Sequence, residues 1–399
     1  MRLLVADKFP DSGLAYLREQ GHDVTYLPDT SAGDLGNAVD GNEILVVRST
    51  EVDAAAIERA PDLALIVRAG AGTNTIDREA AAARAIHVSN VPGRNAIAVA
   101  ELTMGLILAI DRRIPDNVSD LRASEWNKSA YSKGLGLMGR SLGIIGLGAI
   151  GMAVASRAAS FGLRLHALAK SRSQATEEAM AELEFTIHDD IETLAAATDI
   201  ITLHVPATSD TSGLVDTRFL AARKPGTVLI NTSRADVVDE AALLAVIDDK
   251  DLWVGVDVFA DEPGSGTDQI HSQLAGHHRV YGTHHIGAST AQAQAAVAAG
   301  VLEVIDAFAG GEIVNCVNLQ PHVPDTTRIT VRHVDQVGVL ASMLMLIRDA
   351  GINVEHMSNL VFQGAEAASA TLDLKGKVTD DLLERLMEIP EIIHARFNT

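Results

Sequence analysis

Leu142-Gly143-Ile144-Ile145-Gly146-Leu147-Gly148-Ala149-Ile150-Gly151 is the stretch on which the fold turns. Its first four residues are a short apolar run of strand type, the next six spell GxGxxG, and the residues up to about Phe161 suit a helix. Strand, glycine turn and helix in that order describe a dinucleotide-binding crossover. The glycines allow a tight turn, close backbone approach to a pyrophosphate and close helix–strand packing, and the helix N-terminus offers N–H groups to the phosphates. Gly146, Gly148, Ala149, Ile150 and Gly151 are therefore candidate cofactor contacts.

The pattern repeats outward on both sides. Leu3–Ala6, Val24–Leu27, Ile44–Val47 and Leu65–Val67 are apolar runs of strand length before it, and Leu163–Ala169, Ile200–His204, Val228–Asn231 and Val254–Val258 follow it. Helix-length segments lie between them, which predicts parallel sheets covered on both faces. Asn95 to Ile114 is apolar almost all round, as in a helix buried in a core or a subunit interface, and Ala288 to Gly310 predicts a long Ala-rich helix. Residues 329–399 read strand, helix, strand, strand, helix, strand, the order of a ferredoxin-like plait. The predicted fold class is α/β, with two Rossmann-like or flavodoxin-like doubly wound parallel-sheet domains and a C-terminal ferredoxin-like α+β domain. The predicted boundaries are 1–95 with 286–315, then 96–285, a linker at 316–328, and 329–399.

Composition excludes several classes. Lys and Arg number 32 against 53 Asp and Glu, a net charge of −21, which argues against nucleic acid or an anionic membrane as a partner. Cys316 is the only cysteine, so internal disulfides and thiolate zinc sites are ruled out, and no metal site is expected. The longest apolar stretch, Ile97 to Ile110, is broken by Glu101 and Thr103 and falls short of the roughly 18 residues of a bilayer span. No targeting segment is visible, and a cytoplasmic location is expected.

A dinucleotide site of this kind usually has an acidic residue about 20 residues on, at the end of the next strand, to bind the adenosine ribose. Here Ala169 stands there, followed by Lys170, Ser171 and Arg172. Without the carboxylate, and with two cations, the sequence favours NADP(H) over NAD(H). The other possibility is that these are solvated loop charges.

Three later segments place polar residues at predicted strand ends, where such sheets bind ligands. They are Asn231-Thr232-Ser233-Arg234, Asp257-Val258-Phe259-Ala260-Asp261-Glu262-Pro263 and Thr283-His284-His285-Ile286-Gly287. An arginine can hold a carboxylate by two charge-assisted bonds, a histidine can move a hydroxyl proton, and a glutamate can orient that histidine.

These motifs resemble the D-2-hydroxyacid dehydrogenase family, in particular its 3-phosphoglycerate dehydrogenases, along essentially the whole chain. The resemblance implies an NAD(P)-dependent homodimer or homotetramer acting on a small anionic 2-hydroxy or 2-keto acid. Its reaction would be oxidation of D-3-phosphoglycerate to 3-phosphohydroxypyruvate, the first step of serine biosynthesis. It implies Arg234 as the carboxylate-binding arginine, Glu262 as the partner of the histidine, His285 as the acid/base, and Asp257 as a cofactor contact. It also implies substrate contacts from Arg48, Ser49, the 70–72 loop (Ala71 and Gly72), Asn95 near the nicotinamide end, and Lys128 from a partner subunit. His284 stands where the family usually has proline, and Ala235 where it often has glycine.

The C-terminal plait resembles an ACT domain, with His333, Asp335 and Asn353 at positions that in serine-regulated relatives hold an amino acid such as L-serine between two domains. Asp335 and Val337 replace an Asn and a Pro of that pattern. The alternative within the class is an NADPH-dependent glyoxylate or hydroxypyruvate reductase. The alternative outside it is a non-catalytic amino-acid sensor or corepressor-like protein on the same fold.

Overall fold

In the first sheet the strands carry their apolar side chains on both faces, and this dictates a covered parallel sheet. Ile44–Val47 is buried throughout, and Leu65–Val67 likewise. In the computed structural model, which describes residues 1–263, 268–320, 325–364 and 366–398, these residues belong to a five-stranded sheet. Its strands are β1 (Arg2–Val5), β2 (Asp23–Tyr26), β3 (Ile44–Val47), β4 (Leu65–Arg68) and β5 (His87–Asn90). They lie in the order β2-β1-β3-β4-β5, all parallel. The helix Ala291–Ala309 packs Ala298, Val301, Val304 and Ile305 into the core of this sheet. By length and composition alone it could cross a membrane. Its buried stripe makes it a core helix.

The second sheet has seven strands: β6 (Ser141–Ile145), β7 (Arg164–Leu168), β8 (Thr186–His188), β9 (Ile200–Leu203), β10 (Val228–Asn231), β11 (Trp253–Val256) and β12 (Val280–Gly282). Their order is β12-β11-β10-β9-β6-β7-β8, again parallel. β11 ends at Val256, two residues before the end expected from the sequence, because Asp257 turns its carboxylate into the following loop. The all-round apolar helix is Ala96–Arg112, and it lies on this sheet with Leu106, Ile107 and Ile110 in its core.

Both sheets lie in one compact unit, Met1–Asn318, and Leu319–Thr399 forms a second. The predicted linker at 316–328 thus begins too early. Val317 N–H donates to Val88, Cys316 bridges Ser89, and the Asn318 side chain bonds Val88 and Ile86, so residues 316–318 are tied to β5. Residues 321–324 of that linker lie outside the described residues. The second unit is an antiparallel sheet, β13 (Thr326–Val334), β14 (Asn353–Val361), β15 (Ala367–Lys375) and β16 (Ile392–Phe397), in the order β14-β15-β13-β16. The helices Val339–Asp349 and Asp380–Met387 share its core, giving the expected plait.

Candidate active site

In the second sheet the strand sequence runs away from β6 on one side through β7 and β8, and from its neighbour β9 on the other through β10 to β12. The crevice beyond β6 and β9 is where such a sheet takes its ligand. Gly146 stands there with φ +101, and a Cβ on it would meet the His204 carbonyl oxygen at 2.4 Å. A Cβ on Gly151 would meet the Gly146 carbonyl oxygen at 2.0 Å. Both positions therefore require glycine. Gly148 caps the helix Ala149–Ser160 without a side chain and faces open space, so the first-turn N–H groups at Ala149, Ile150 and Gly151 stay available to an anion. The residues present fit a dinucleotide.

At the end of β7, Ala169 N–H donates to the His188 carbonyl at 2.7 Å, and Ala169 itself brings no carboxylate to the ribose position. Arg172 folds back instead. Its guanidinium donates to the carbonyls of Lys170, at 2.9 Å, and Leu168. Lys170 and Ser171 are exposed beside it. Ser173 caps the next helix by accepting from Thr176 N–H.

The three predicted motifs converge. His285 Nδ1 lies 2.6 Å from Glu262 Oε2, and Glu262 Oε1 accepts the Phe259 N–H at 2.7 Å. The Glu262 bond, against the effect of burial, raises the His285 pKa above its ordinary value. Burial pushes the Glu262 pKa up, but His285 and the Phe259 N–H outweigh it and leave it lowered. With its Nδ1 proton facing Glu262, the imidazole keeps Nε2 for a substrate. His284 has no hydrogen bond among the described residues.

Asp257, the expected cofactor contact, is tied into the loop that carries His285. It is 1% exposed, and both carboxylate oxygens are taken. Thr283 Oγ1 and Ile286 N–H donate to Oδ1 at 2.5 and 2.9 Å, and Gly287 N–H donates to Oδ2 at 2.8 Å. A buried carboxylate needs such a full set of donors. These bonds clamp the loop on either side of His285, which adopts a left-handed φ of +51.

Arg234 follows a similarly fixed turn. Asn231 accepts from the N–H and hydroxyl of Ser233 and donates to the Arg234 carbonyl at 2.9 Å. The Arg234 guanidinium lies so close to Gly72 that a Cβ there would sit 2.7 Å from Nη2. This brings the 70–72 loop to the motif residues. Asn90 donates to the Ala71 carbonyl at 2.6 Å and Val91 N–H to Gly70 at 2.9 Å, so that loop is stapled.

Arg68, the last residue of β4, is a site residue the sequence reading passed over. Its side chain crosses Gly70, whose φ of +141 and missing Cβ make room for it. Burial, Arg234 and Arg48 lower its pKa to about 10, while Asp7 opposes them. Its Nε is buried without a partner. Arg48, Arg68 and Arg234 form no ion pair among the described residues, whereas Arg140, Arg279 and Arg328 do. Ser49 is exposed next to Arg48, and half-buried Asn95 begins the helix Ala96–Arg112 with no side-chain cap bond. Lys128 starts a short exposed helix, and no described contact ties it to the site.

The effector residues do not assemble within one chain. His333 is buried, its ring nitrogens 2.8 Å from the Val334 carbonyl and 3.0 Å from Asn359 Oδ1. His333 pairs with Ala368, which faces Val361, whereas Asn353 pairs with Lys375, which faces Thr326. His333 and Asn353 thus lie at opposite ends of the sheet. Asp335 is half-buried beside His333, and Asn353 donates to Glu355.

Asp248, His277 and His278 have potential ligand atoms within 4.8 Å of one another. Arg279 Nε lies 3.3 Å from the Asp248 carboxylate, and the Arg279 main-chain N–H donates to His277 Nδ1, so a guanidinium already supplies the cation there.

Residues 104–287 match the family described as D-isomer specific 2-hydroxyacid dehydrogenase, NAD binding domain. The chain is 33% identical to D-3-phosphoglycerate dehydrogenase of Methanocaldococcus jannaschii over 390 residues, 97% of this chain and 72% of that one. It is 41% identical to hydroxypyruvate reductase of Thermotoga maritima over 265 residues, 66% of this chain and 83% of that one. Among solved structures it resembles an NADPH-dependent glyoxylate/hydroxypyruvate reductase from Sinorhizobium meliloti in complex with NADP and malonate. The TM-score is 0.67 at 28% identity, covering 79% of this chain and 96% of that one.

Proposed function

The chain belongs to the D-isomer-specific 2-hydroxyacid dehydrogenase family, and from that premise we propose that it oxidises D-3-phosphoglycerate to 3-phosphohydroxypyruvate, opening a route to serine. That it is a nicotinamide-dependent enzyme for a small hydroxy or keto acid follows from the family itself. The observation that carries the finer reading is the set of three guanidiniums, Arg48, Arg68 and Arg234, with no ion-paired carboxylate among the described residues. A simple keto acid needs one such partner. A substrate bearing a carboxylate and a phosphate needs more.

The nicotinamide, when bound, exchanges a hydride with C2 of the substrate. His285 Nε2 takes the hydroxyl proton as the carbonyl forms and returns it in reduction, and Glu262 favours the imidazolium that results. Arg234 and the stapled 70–72 loop hold the carboxylate, leaving Arg48 and Arg68 for the phosphate. Ser49, Asn95 and a partner subunit's basic residue equivalent to Lys128 complete the substrate shell. In this assignment 1–95 with 286–315 binds substrate and 96–285 binds cofactor.

Ala169 with exposed Lys170 supports NADP(H) over NAD(H), and this also favours the second reading, an NADPH-dependent glyoxylate or hydroxypyruvate reductase. The plait supports an ACT-type regulatory domain for L-serine, and its split site requires two copies. Exposed Trp126, Leu135 and Met138 support a homodimer or homotetramer, and we assign a cytoplasmic location. Steady-state oxidation of D-3-phosphoglycerate and D-glycerate, with NAD and NADP in parallel, tests the substrate. No turnover of D-3-phosphoglycerate with either cofactor contradicts it.

A further inference from the structure

The crevice of the first sheet is filled from within. In the order β2-β1-β3-β4-β5 the strand sequence reverses between β1 and β3, and open parallel sheets take ligands outside the carboxyl ends at such a point. There Asp7, just past β1, turns its carboxylate into the turn after β3. Asp7 Oδ2 accepts the N–H groups of Arg48 at 2.6 Å, Ser49 at 3.0 Å and Thr50 at 3.1 Å. Three successive N–H groups converging on one oxygen form an anion-binding nest. Asp7 Oδ1 has no hydrogen bond among the described residues.

We propose that Asp7 is a positioning residue for phosphate recognition, fixing the turn that launches Arg48 and holding Arg48 and Arg68 together beside Arg234. This rests on the phosphorylated-substrate reading. Three neighbouring guanidiniums repel one another, and an internal carboxylate offsets part of that repulsion. Because Asp7 spends its hydrogen bonds on main-chain N–H groups, it does not itself occupy the guanidiniums of Arg48 and Arg68, although Arg68 Nη1 also donates to the Ala69 carbonyl at 3.4 Å. A carboxylate paired directly with Arg48 or Arg68 would compete with the ligand instead. Asp7 also occupies the nest, so the phosphate is left to side chains rather than to the main chain of residues 48–50.

The test is kinetic, on the full chain. KM and kcat are measured for 3-phosphohydroxypyruvate and for hydroxypyruvate in the unsubstituted protein, Asp7→Asn and Asp7→Ala. Asparagine keeps an acceptor oxygen for the turn but lacks the charge, so it also serves if the alanine variant folds poorly. We expect KM for the phosphorylated acid to rise about tenfold in Asp7→Ala and about threefold in Asp7→Asn, the scale of one lost charge-assisted contact. With kcat and KM for hydroxypyruvate changing by less than about threefold, the effect is confined to phosphate binding. Equal rises in both KM values with a lower thermal midpoint mean that Asp7 only supports the fold, and overturn the proposal. A lower KM for the phosphorylated acid means that Asp7 only repels anions, and overturns it too. Equal KM values for the two acids in the unsubstituted chain instead overturn the phosphorylated-substrate reading, and the role of Asp7 falls with it.

Discussion

His285 Nδ1 lies 2.6 Å from Glu262 Oε2, on a loop held in a left-handed turn by the buried carboxylate of Asp257. The acid/base group is thus oriented twice, through its ring by Glu262 and through its backbone by Asp257. Replacing His285 by alanine should lower kcat by roughly a hundredfold or more, the scale of losing a general acid or base. Binding of the nicotinamide cofactor, followed by fluorescence, should survive. His284→Ala should keep near-normal turnover. The opposite pattern would move the catalytic role one residue upstream.

Glu262 raises the His285 pKa, and this sets the sign of the pH dependence. Oxidation needs neutral His285, so its rate should climb with pH through a midpoint above the ordinary value of about 6.5. Glu262→Gln should move that midpoint down. Stability follows the same linkage. The His285 contribution is complete below about pH 6.5 and is lost as pH rises through its raised pKa, whereas that of Glu262 is complete above about pH 4.3 and is lost as pH falls through its lowered one. Denaturant titrations should therefore show the largest gap between the unsubstituted chain and Glu262→Gln between about pH 4.3 and 6.5. A gap that is flat with pH would mean the pair does not couple to folding.

Ala169→Asp restores a carboxylate at the end of β7. The ratio of kcat/KM values should shift toward NAD(H) by about an order of magnitude, since a charged contact is worth about 1.5–3 kcal/mol. Arg172 is already bonded to the carbonyls of Lys170 and Leu168, so Arg172→Ala should lower stability as well as NADP(H) affinity. An unsubstituted enzyme that prefers NAD(H) tenfold would contradict the NADP(H) assignment.

The parts legible in the sequence are those with a local cause. Gly146 and Gly151 have no room for a Cβ, and this requirement is written into six consecutive residues. Glu262 and His285 were recognisable because each sits in a short motif at a strand end. Arg68 reads only as the lead from the apolar run Leu65–Val67 into the 70–72 loop, and it is the fold that brings it toward Arg48 and Arg234. Asp7 carries no motif at all, and its bonds reach a turn far along the chain. Strand register is equally hidden: it sets His333 and Asn353 at opposite ends of one sheet, so a site shared between two domains would draw one residue from each copy. The solvent exposure of Asp257 could not be read either. The family resemblance implies a cofactor contact there, and the burial shows a second task, clamping the loop around His285.

A regulatory role for the C-terminal plait predicts that an amino acid changes activity. Titrating the full chain with L-serine should shift apparent affinity roughly 5–150-fold, the usual range of site-to-site coupling. His333 is buried against Asn359, so His333→Ala should abolish the response and also lower the thermal midpoint. If neither activity nor midpoint responds to millimolar amino acids, the domain serves assembly.

Among all these tests, the ratio of kcat/KM for 3-phosphohydroxypyruvate over hydroxypyruvate bears most directly on the central claim, that Arg48, Arg68 and Arg234 together read a doubly anionic substrate. The two acids differ only in the phosphate. We expect a ratio of at least about ten, the value of one charge-assisted contact, in the unsubstituted enzyme, collapsing toward unity in Arg48→Ala. A ratio at or below one, unchanged by Arg48→Ala, would contradict the claim and leave the enzyme a reductase of small unphosphorylated keto acids.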